Sequence, residues 1–252
     1  MNEAVALIQA RLGSSRLPGK VLLPLAGRPV LAHVVERCRA TPGVGQVVVA
    51  TTEAAEDDAV AACARASGAE VFRGSAEDVL GRVAAAAQVF PARDYVRITA
   101  DCPLTDPQIA AAVFAAHRAG DYHFSYNEVP TDFPRGYDVE VVKGETLTWL
   151  AARCQDPASR EHVTAYFFEH GADFKIFRLP PARAGADFSR FRLVLDEPSD
   201  YELLRRIFDR LARNRLFGLA DVLELLEAEP ALAEINRDVT QKEPPRPPRV
   251  KK

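Results

Sequence analysis

Val5-Ala6-Leu7-Ile8-Gln9-Ala10-Arg11-Leu12-Gly13-Ser14-Ser15-Arg16-Leu17-Pro18-Gly19-Lys20 is the segment on which the fold turns. Its apolar start predicts a buried first strand over residues 5–9. The strand opens into a loop of small residues ending in a cation. Gly13, Ser14, Ser15 and Gly19 let backbone N–H groups approach an anion closely. Arg16 and Lys20 supply the charge: Arg grips a phosphate bidentately, and Lys acts as a mobile point charge. The loop reads as a phosphate cradle, with an ordinary polar surface loop as the alternative on residue types alone. It is not a Walker A loop, because Val21 follows Lys20 and the Gly13–Gly19 spacing is one residue too long.

Outward from the loop the chain alternates strand and helix. Pro29 suits the first turn of a helix over about 30–40, and Thr41-Pro42-Gly43 stops it. Residues 46–50 form an apolar, β-branched strand. Glu56-Asp57-Asp58 open an Ala-rich helix that closes at Ser67-Gly68. A short strand over 70–72, a helix over 77–89 and a strand over 95–99 come next. Asp106-Pro107 then caps a helix through His117. This order predicts an α/β fold with a mostly parallel central sheet and helices on both faces. The second half is less regular. Strands are expected over 122–126, 137–142, 174–179 and 191–195, and helices over 145–153, 158–170, from after Asp200 through Arg213, and 219–228. The simplest organisation is one domain over 1–240, with a nucleotide-binding half (1–120) and an elaborated acceptor half (121–240). The tail over 241–252, rich in Pro, Lys and Arg, is expected to be disordered.

The 252 residues carry a net charge of −3 and are 48% hydrophobic, which excludes the basic footprint of a nucleic-acid binder. No apolar run approaches the roughly 20 residues that span a bilayer. No secretory pattern opens the chain, so a cytoplasmic protein is expected. The four cysteines, Cys38, Cys63, Cys102 and Cys154, are far apart and form no C-x-x-C pair. They read as buried or half-buried thiols rather than a zinc site or a disulfide framework.

Chemistry in such sheets collects at the carboxyl ends of strands. Asp101 and Asp196 each follow an apolar strand and are closely succeeded by Pro. Two such carboxylates would suit the Mg²⁺ that accompanies a triphosphate; helix or turn capping is the alternative. Asp138 and Glu140 alternate on one strand and could bind a hydroxylated acceptor or a second metal, or simply form a solvated acidic face; Arg160 and Glu161 could position an acceptor or merely start a helix. There is no G-x-S-x-G, H-E-x-x-H or D-x-D motif.

These residues resemble a known family. Ile8-Gln9-Ala10-Arg11 with Gly13 to Lys20 is similar to the opening of the sugar-acid cytidylyltransferases, such as 3-deoxy-manno-octulosonate and acylneuraminate cytidylyltransferases. The closer likeness is to the spore coat polysaccharide biosynthesis protein F-like branch. It extends to Ile98-Thr99-Ala100-Asp101-Cys102-Pro103-Leu104, Pro134-Arg135-Gly136-Tyr137-Asp138-Val139-Glu140, Arg160-Glu161-His162-Val163-Thr164 and Leu195-Asp196-Glu197-Pro198-Ser199-Asp200-Tyr201. The sugar-acid enzymes usually carry Pro where this chain has Gln9.

The resemblance implies a Rossmann-like, GT-A-type nucleotidyltransferase fold and transfer of CMP from CTP to a small-molecule acceptor. That acceptor is a sugar acid or a related hydroxyl, phosphate or phosphonate compound. It implies that Arg11, Ser15, Arg16 and Lys20 contact the CTP phosphates beside Gly13 and Ser14, and that Asp101 and Asp196 bind Mg²⁺. It places cytosine near Leu7, Ala10, Thr51 and Arg73, and the acceptor near Asn127, Arg135, Asp138, Glu140 and Glu161. Lys20, Arg16 and Asp101 are the expected catalytic residues. A homodimer is expected, with no nucleic-acid or membrane partner. A GT-A glycosyltransferase and a non-catalytic nucleotide-binding module are the competing readings.

Overall fold

A computed structural model describes residues 4–127, 132–181 and 187–240. The first strand, β1 (Ala4–Gln9), runs into the cradle loop. A small hairpin, β2 (Pro24–Leu25) and β3 (Arg28–Pro29), leads into α1 (Val30–Arg39). Then come β4 (Val44–Thr52), α2 (Asp58–Ala66), β5 (Glu70–Gly74), α3 (Val79–Val89), β6 (Asp94–Thr99) and α4 (Pro107–Gly120). The second half comprises β7 (Phe124–Tyr126), β8 (Glu140–Lys143), α5 (Gly144–Arg153), α6 (Pro157–His162), α7 (Ala165–Glu169), β9 (Ile176–Arg178), α8 (Pro198–Leu211) and α9 (Leu219–Ala228).

Seven strands form one sheet in the order β5-β4-β1-β6-β8-β7-β9. The first four are mutually parallel, β8 is antiparallel to both β6 and β7, and β9 is parallel to β7. Alternation along β1 divides the core. Ala4, Ala6 and Ile8 pack under α1, α2 and α4, whereas Val5 and Leu7 pack under α3, α5 and α7. A third core joins the β2–β3 hairpin, α8 and α9 through Leu25, Leu195, Leu204 and Phe208. The loop after β1 therefore emerges at the middle of the sheet, beside the end of β6.

Several expected elements end differently. The helix expected over 158–170 is broken by Val163, at φ 55°. The side chain of the next residue, Thr164, hydrogen-bonds Glu140 instead of continuing the helix. The strand expected over 137–142 starts only at Glu140. Before it, Asn127 donates from Nδ2 to Tyr137 O at 2.9 Å and accepts from Val139 N at 2.7 Å, replacing the ladder. Residues 191–195 are not a strand: Leu193 N bonds Arg135 O and Leu195 N bonds Asp101 O, so loops take the place of a neighbouring strand. Asp78 caps α3 by accepting from Gly81 N at 2.8 Å, so that helix starts at Val79 rather than 77. The tail over 241–252 lies outside the described residues.

Gly136 makes the turn before Asp138. Its φ is 106°, and a Cβ there would stand 2.3 Å from Leu193 O and 2.7 Å from Val194 N, which are backbone atoms that cannot yield cheaply. Gly136→Ala is expected to destabilise the fold by roughly 2–4 kcal/mol, read by thermal or denaturant unfolding. An unchanged midpoint would contradict this packing.

All four cysteines are free, and only Cys63 is other than buried. Burial pushes the Cys38 thiol up to about 12 and the Cys102 thiol well above its ordinary range. The thiolate is the reactive form, so iodoacetamide on the native protein should modify Cys63 first. Mass spectrometry showing Cys102 or Cys38 labelled ahead of Cys63 would contradict this assignment.

Candidate active site

The cradle loop is held at both ends. Asp57, buried at the start of α2, accepts from Leu12 N at 2.7 Å and is bonded by Thr52 Oγ1. Ser14 Oγ accepts from Leu17 N at 3.3 Å, and Gly19 N bonds back to Leu12 O at 3.3 Å. Gly19 is left-handed at φ 71°, a conformation that suits Gly, and it turns the chain into a single helical turn that begins at Lys20. Lys20 is thereby aimed at Asp101, in the loop after β6, and at Asp196, at the end of the 191–196 segment.

Lys20 Nζ lies 2.7 Å from Asp101 Oδ2 and 2.8 Å from Asp196 Oδ1. Arg16 Nη2 adds a contact of 3.1 Å to the same Asp196 oxygen, and Arg16 Nη1 reaches Glu197 at 3.3 Å. Burial alone would lower the Lys20 pKa, but Asp101 and Asp196 together outweigh it and hold the ammonium above its ordinary value. Burial would likewise raise the Asp196 carboxyl, yet Lys20, Arg192 and Arg16 keep it below the usual range. Both groups stay charged at neutral pH.

Asp196 is itself held in place. Arg192 Nη2 donates to Asp196 Oδ2 at 2.7 Å while its Nε donates to Asp200 Oδ1 at 3.1 Å. The fully buried Asp200 also accepts from Asp196 N, Glu197 N and Asn236 Nδ2.

These residues border a cavity of about 430 Å³, a volume suited to a small-molecule ligand. The structure brings Ala10, Arg11, Gly13, Ser14, Ser15, Arg16, Lys20, Asp101, Glu161 and Asp196 to its wall. Other sequence candidates are elsewhere. Leu7 is core beneath the loop, and Thr51 is fully buried at the end of β4. Arg73 is spent on Asp58 and on the carbonyls of Thr52 and Ala54. Asn127 is fully buried and braces backbone. Glu140 is buried and ion-paired with Arg97. Arg135 and Asp138 face each other at 3.6 Å and do not line the cavity.

Sequence reasoning missed Gln9, Thr99, Arg82 and His162, which do line it. Arg82 is 3% exposed, its Nη1 donates to Ser75 O, and it forms no ion pair among the described residues. The 192-196-200 spacing was a legible signal for the Asp196 support. Arg82, a lone cation in an Ala-rich helix, gave none.

The donor set fits a hard divalent cation. Lys20 shows that Asp101 and Asp196 converge on a single positive centre, and both offer oxygen. Among the described residues no cluster of three or more His, Cys, Asp or Glu could hold a metal. A cation here would therefore draw its remaining ligands from substrate oxygens and water.

The chain and its fold have counterparts among known proteins. The family model described as Cytidylyltransferase matches residues 5–228. Spore coat polysaccharide biosynthesis protein SpsF of Bacillus subtilis is 31% identical over 241 residues, 92% of this chain and 98% of that protein. A 3-deoxy-manno-octulosonate cytidylyltransferase of Anaeromyxobacter dehalogenans is 42% identical over 123 residues, 48% of this chain and 49% of that protein. A solved cytidylyltransferase from Leptospira borgpetersenii superposes with a TM-score of 0.85 at 33% identity, covering 96% of this chain and all of the other. The sheet order and this superposition give the Rossmann-like nucleotidyltransferase fold. With a model match running from β1 through the end of α9, the chain belongs to the cytidylyltransferase family of nucleotidyltransferase enzymes.

Proposed function

We propose that the enzyme transfers CMP from CTP to a sugar acid or related small-molecule acceptor, with release of pyrophosphate, in the biosynthesis of a surface polysaccharide. The observation that carries this reading is the convergence of Lys20 on Asp101 and Asp196 at the mouth of the cradle loop. Names of relatives supply the nucleotide and the acceptor class.

In the proposed reaction an acceptor oxygen attacks the α-phosphorus in line and pyrophosphate leaves. The cradle N–H groups, Ser15, Arg11 and Arg16 grip the phosphates, and Lys20 stabilises the charge that develops on them. Asp101 and Asp196 would hold Mg²⁺. When bound, that ion would neutralise charge on the triphosphate and orient it. Lys20 then exchanges its carboxylate partners for phosphate oxygens. Glu161, on α6 at the cavity wall, would contact the acceptor. The proposal includes a cytoplasmic homodimer, with residues 1–120 as the nucleotide half and 121–240 as the acceptor and pairing half.

The test is pyrophosphate release from CTP, ATP, GTP and UTP, each with a panel of sugar acids, sugar phosphates and phosphonates. CTP should be preferred, and release should require both an acceptor and a divalent cation. Chelation by EDTA should abolish it, and Mg²⁺ should restore it. Transfer of a sugar from a finished nucleotide sugar, with no pyrophosphate from any triphosphate, would instead mark a glycosyltransferase.

A further inference from the structure

Gln9, the last residue of β1, lines the cavity beside Ala10 and Thr99. Its Oε1 accepts two hydrogen bonds from Arg97, at 3.1 Å from Nε and 2.6 Å from Nη2. Arg97 is itself fixed, because Nη1 is ion-paired with Glu140 Oε2. Glu140 is buried on β8, and its Oε1 accepts from Thr164 Oγ1 at 2.7 Å. A guanidinium donates and never accepts, so it decides which end of the carboxamide faces it. The oxygen of Gln9 must therefore be the end at Arg97, which leaves the NH₂ group as the free end of a side chain on the cavity wall. Among the described residues no acceptor bonds Gln9 Nε2.

The same network reaches a second stretch of the cavity wall. Thr164 directly follows Val163, a fully buried β-branched residue at φ 55°. Such a backbone is strained and persists only where its surroundings hold it. Immediately before Val163 are His162 and Glu161, both on the cavity wall. The Thr164–Glu140 bond therefore ties the end of α6 to the Arg97 that orients Gln9.

We infer that Gln9 is a specificity-determining residue that offers carboxamide N–H donors to an oxygen of the bound substrates. The inference rests on the proposed function of the cavity. A phosphate oxygen of the nucleotide and a carboxylate or hydroxyl oxygen of the acceptor share the required chemistry.

Two replacements of nearly the same shape test it. Gln9→Glu keeps an oxygen on Arg97 and turns the free donor end into a charged acceptor. Gln9→Met keeps the volume and removes both polar ends. CTP affinity with Mg²⁺ is measured by calorimetry. KM and kcat are measured for CTP and for 3-deoxy-manno-octulosonate, or for the panel compound that wild type uses. Thermal unfolding reports the fold. Gln9→Met should lose about tenfold, and Gln9→Glu about a hundredfold, because it sets a carboxylate against an anionic substrate. Loss of CTP affinity assigns the donor to the nucleotide; a rise confined to acceptor KM assigns it to the acceptor. A loss in Gln9→Met with wild-type constants in Gln9→Glu, which keeps the oxygen on Arg97, would mean that Gln9 only braces Arg97, and wild-type constants in both would leave it no role; either result overturns the inference. A wild-type enzyme that uses another triphosphate would count against CTP as the substrate, and the ranking of the two variants is then read with that triphosphate.

Discussion

Lys20→Ala is expected to lower CMP transfer by about three orders of magnitude. The reason lies in what Lys20 does in two states. Without substrate it neutralises Asp101 and Asp196 at 2.7 and 2.8 Å. In the proposed reaction, with a triphosphate and a cation bound, its ammonium would be free to follow the charge that moves onto the leaving pyrophosphate. Alanine removes both functions. The two carboxylates are then left facing each other, with Arg16 and Arg192 paired to Asp196 and, among the described residues, no cation paired to Asp101, so some loss of thermal stability should accompany the loss of activity. Lys20→Arg separates the two. A guanidinium can still pair with the carboxylates and restore stability, but its planar fork cannot reproduce a mobile point charge, so activity should stay low. Steady-state kinetics alongside thermal melts will show the split. Full activity in Lys20→Ala would remove Lys20 from the mechanism, and full rescue by Arg would contradict the need for a mobile point charge there.

Asp101→Asn should cost about 10²–10³-fold in kcat and shift the Mg²⁺ requirement to higher concentration. Asp101 is the better of the two carboxylates for this test. Among the described residues it is ion-paired with Lys20 alone, and its side chain is 23% exposed, whereas Asp196 is bound into the Arg16, Arg192 and Lys20 contacts at 10% exposure. The amide keeps the shape and should leave the fold almost unchanged, so the loss reports on charge at the site. Titrating MgCl₂ at saturating CTP separates a weakened metal interaction from a slower chemical step. Wild-type Mg²⁺ dependence in this variant would place the metal elsewhere.

Much of this site was legible because it lies where local sequence rules operate. The strand entering the loop, the small residues within it, Gly19 before Lys20, and Asp101 at the end of β6 are all short-range features. The capped start of α4 at Asp106-Pro107 is another. The features that stayed hidden depend on tertiary partners. Glu140 reads as one of two acidic residues on a strand face, and only the fold shows it buried against Arg97. Asn127 reads as a polar loop residue, yet both ends of its amide replace missing ladder bonds. Arg73 reads as a strand-end cation, but Asp58 of the neighbouring helix takes it. Val163 carries no helix-stop signal, and the break there accompanies the bond from Thr164 to Glu140. Gln9 is visible in sequence only as an unusual residue. Its meaning comes from the guanidinium beside it.

Whether CMP itself is the group transferred is decided by following label from CTP. The wild-type enzyme is incubated with Mg²⁺, an acceptor from the panel, and CTP labelled at either the α- or the γ-phosphate. The α-label should appear in a CMP–acceptor conjugate, and the γ-label only in pyrophosphate. γ-Label transferred to the acceptor, or α-label left entirely in free nucleotide while the acceptor is modified, would contradict CMP transfer.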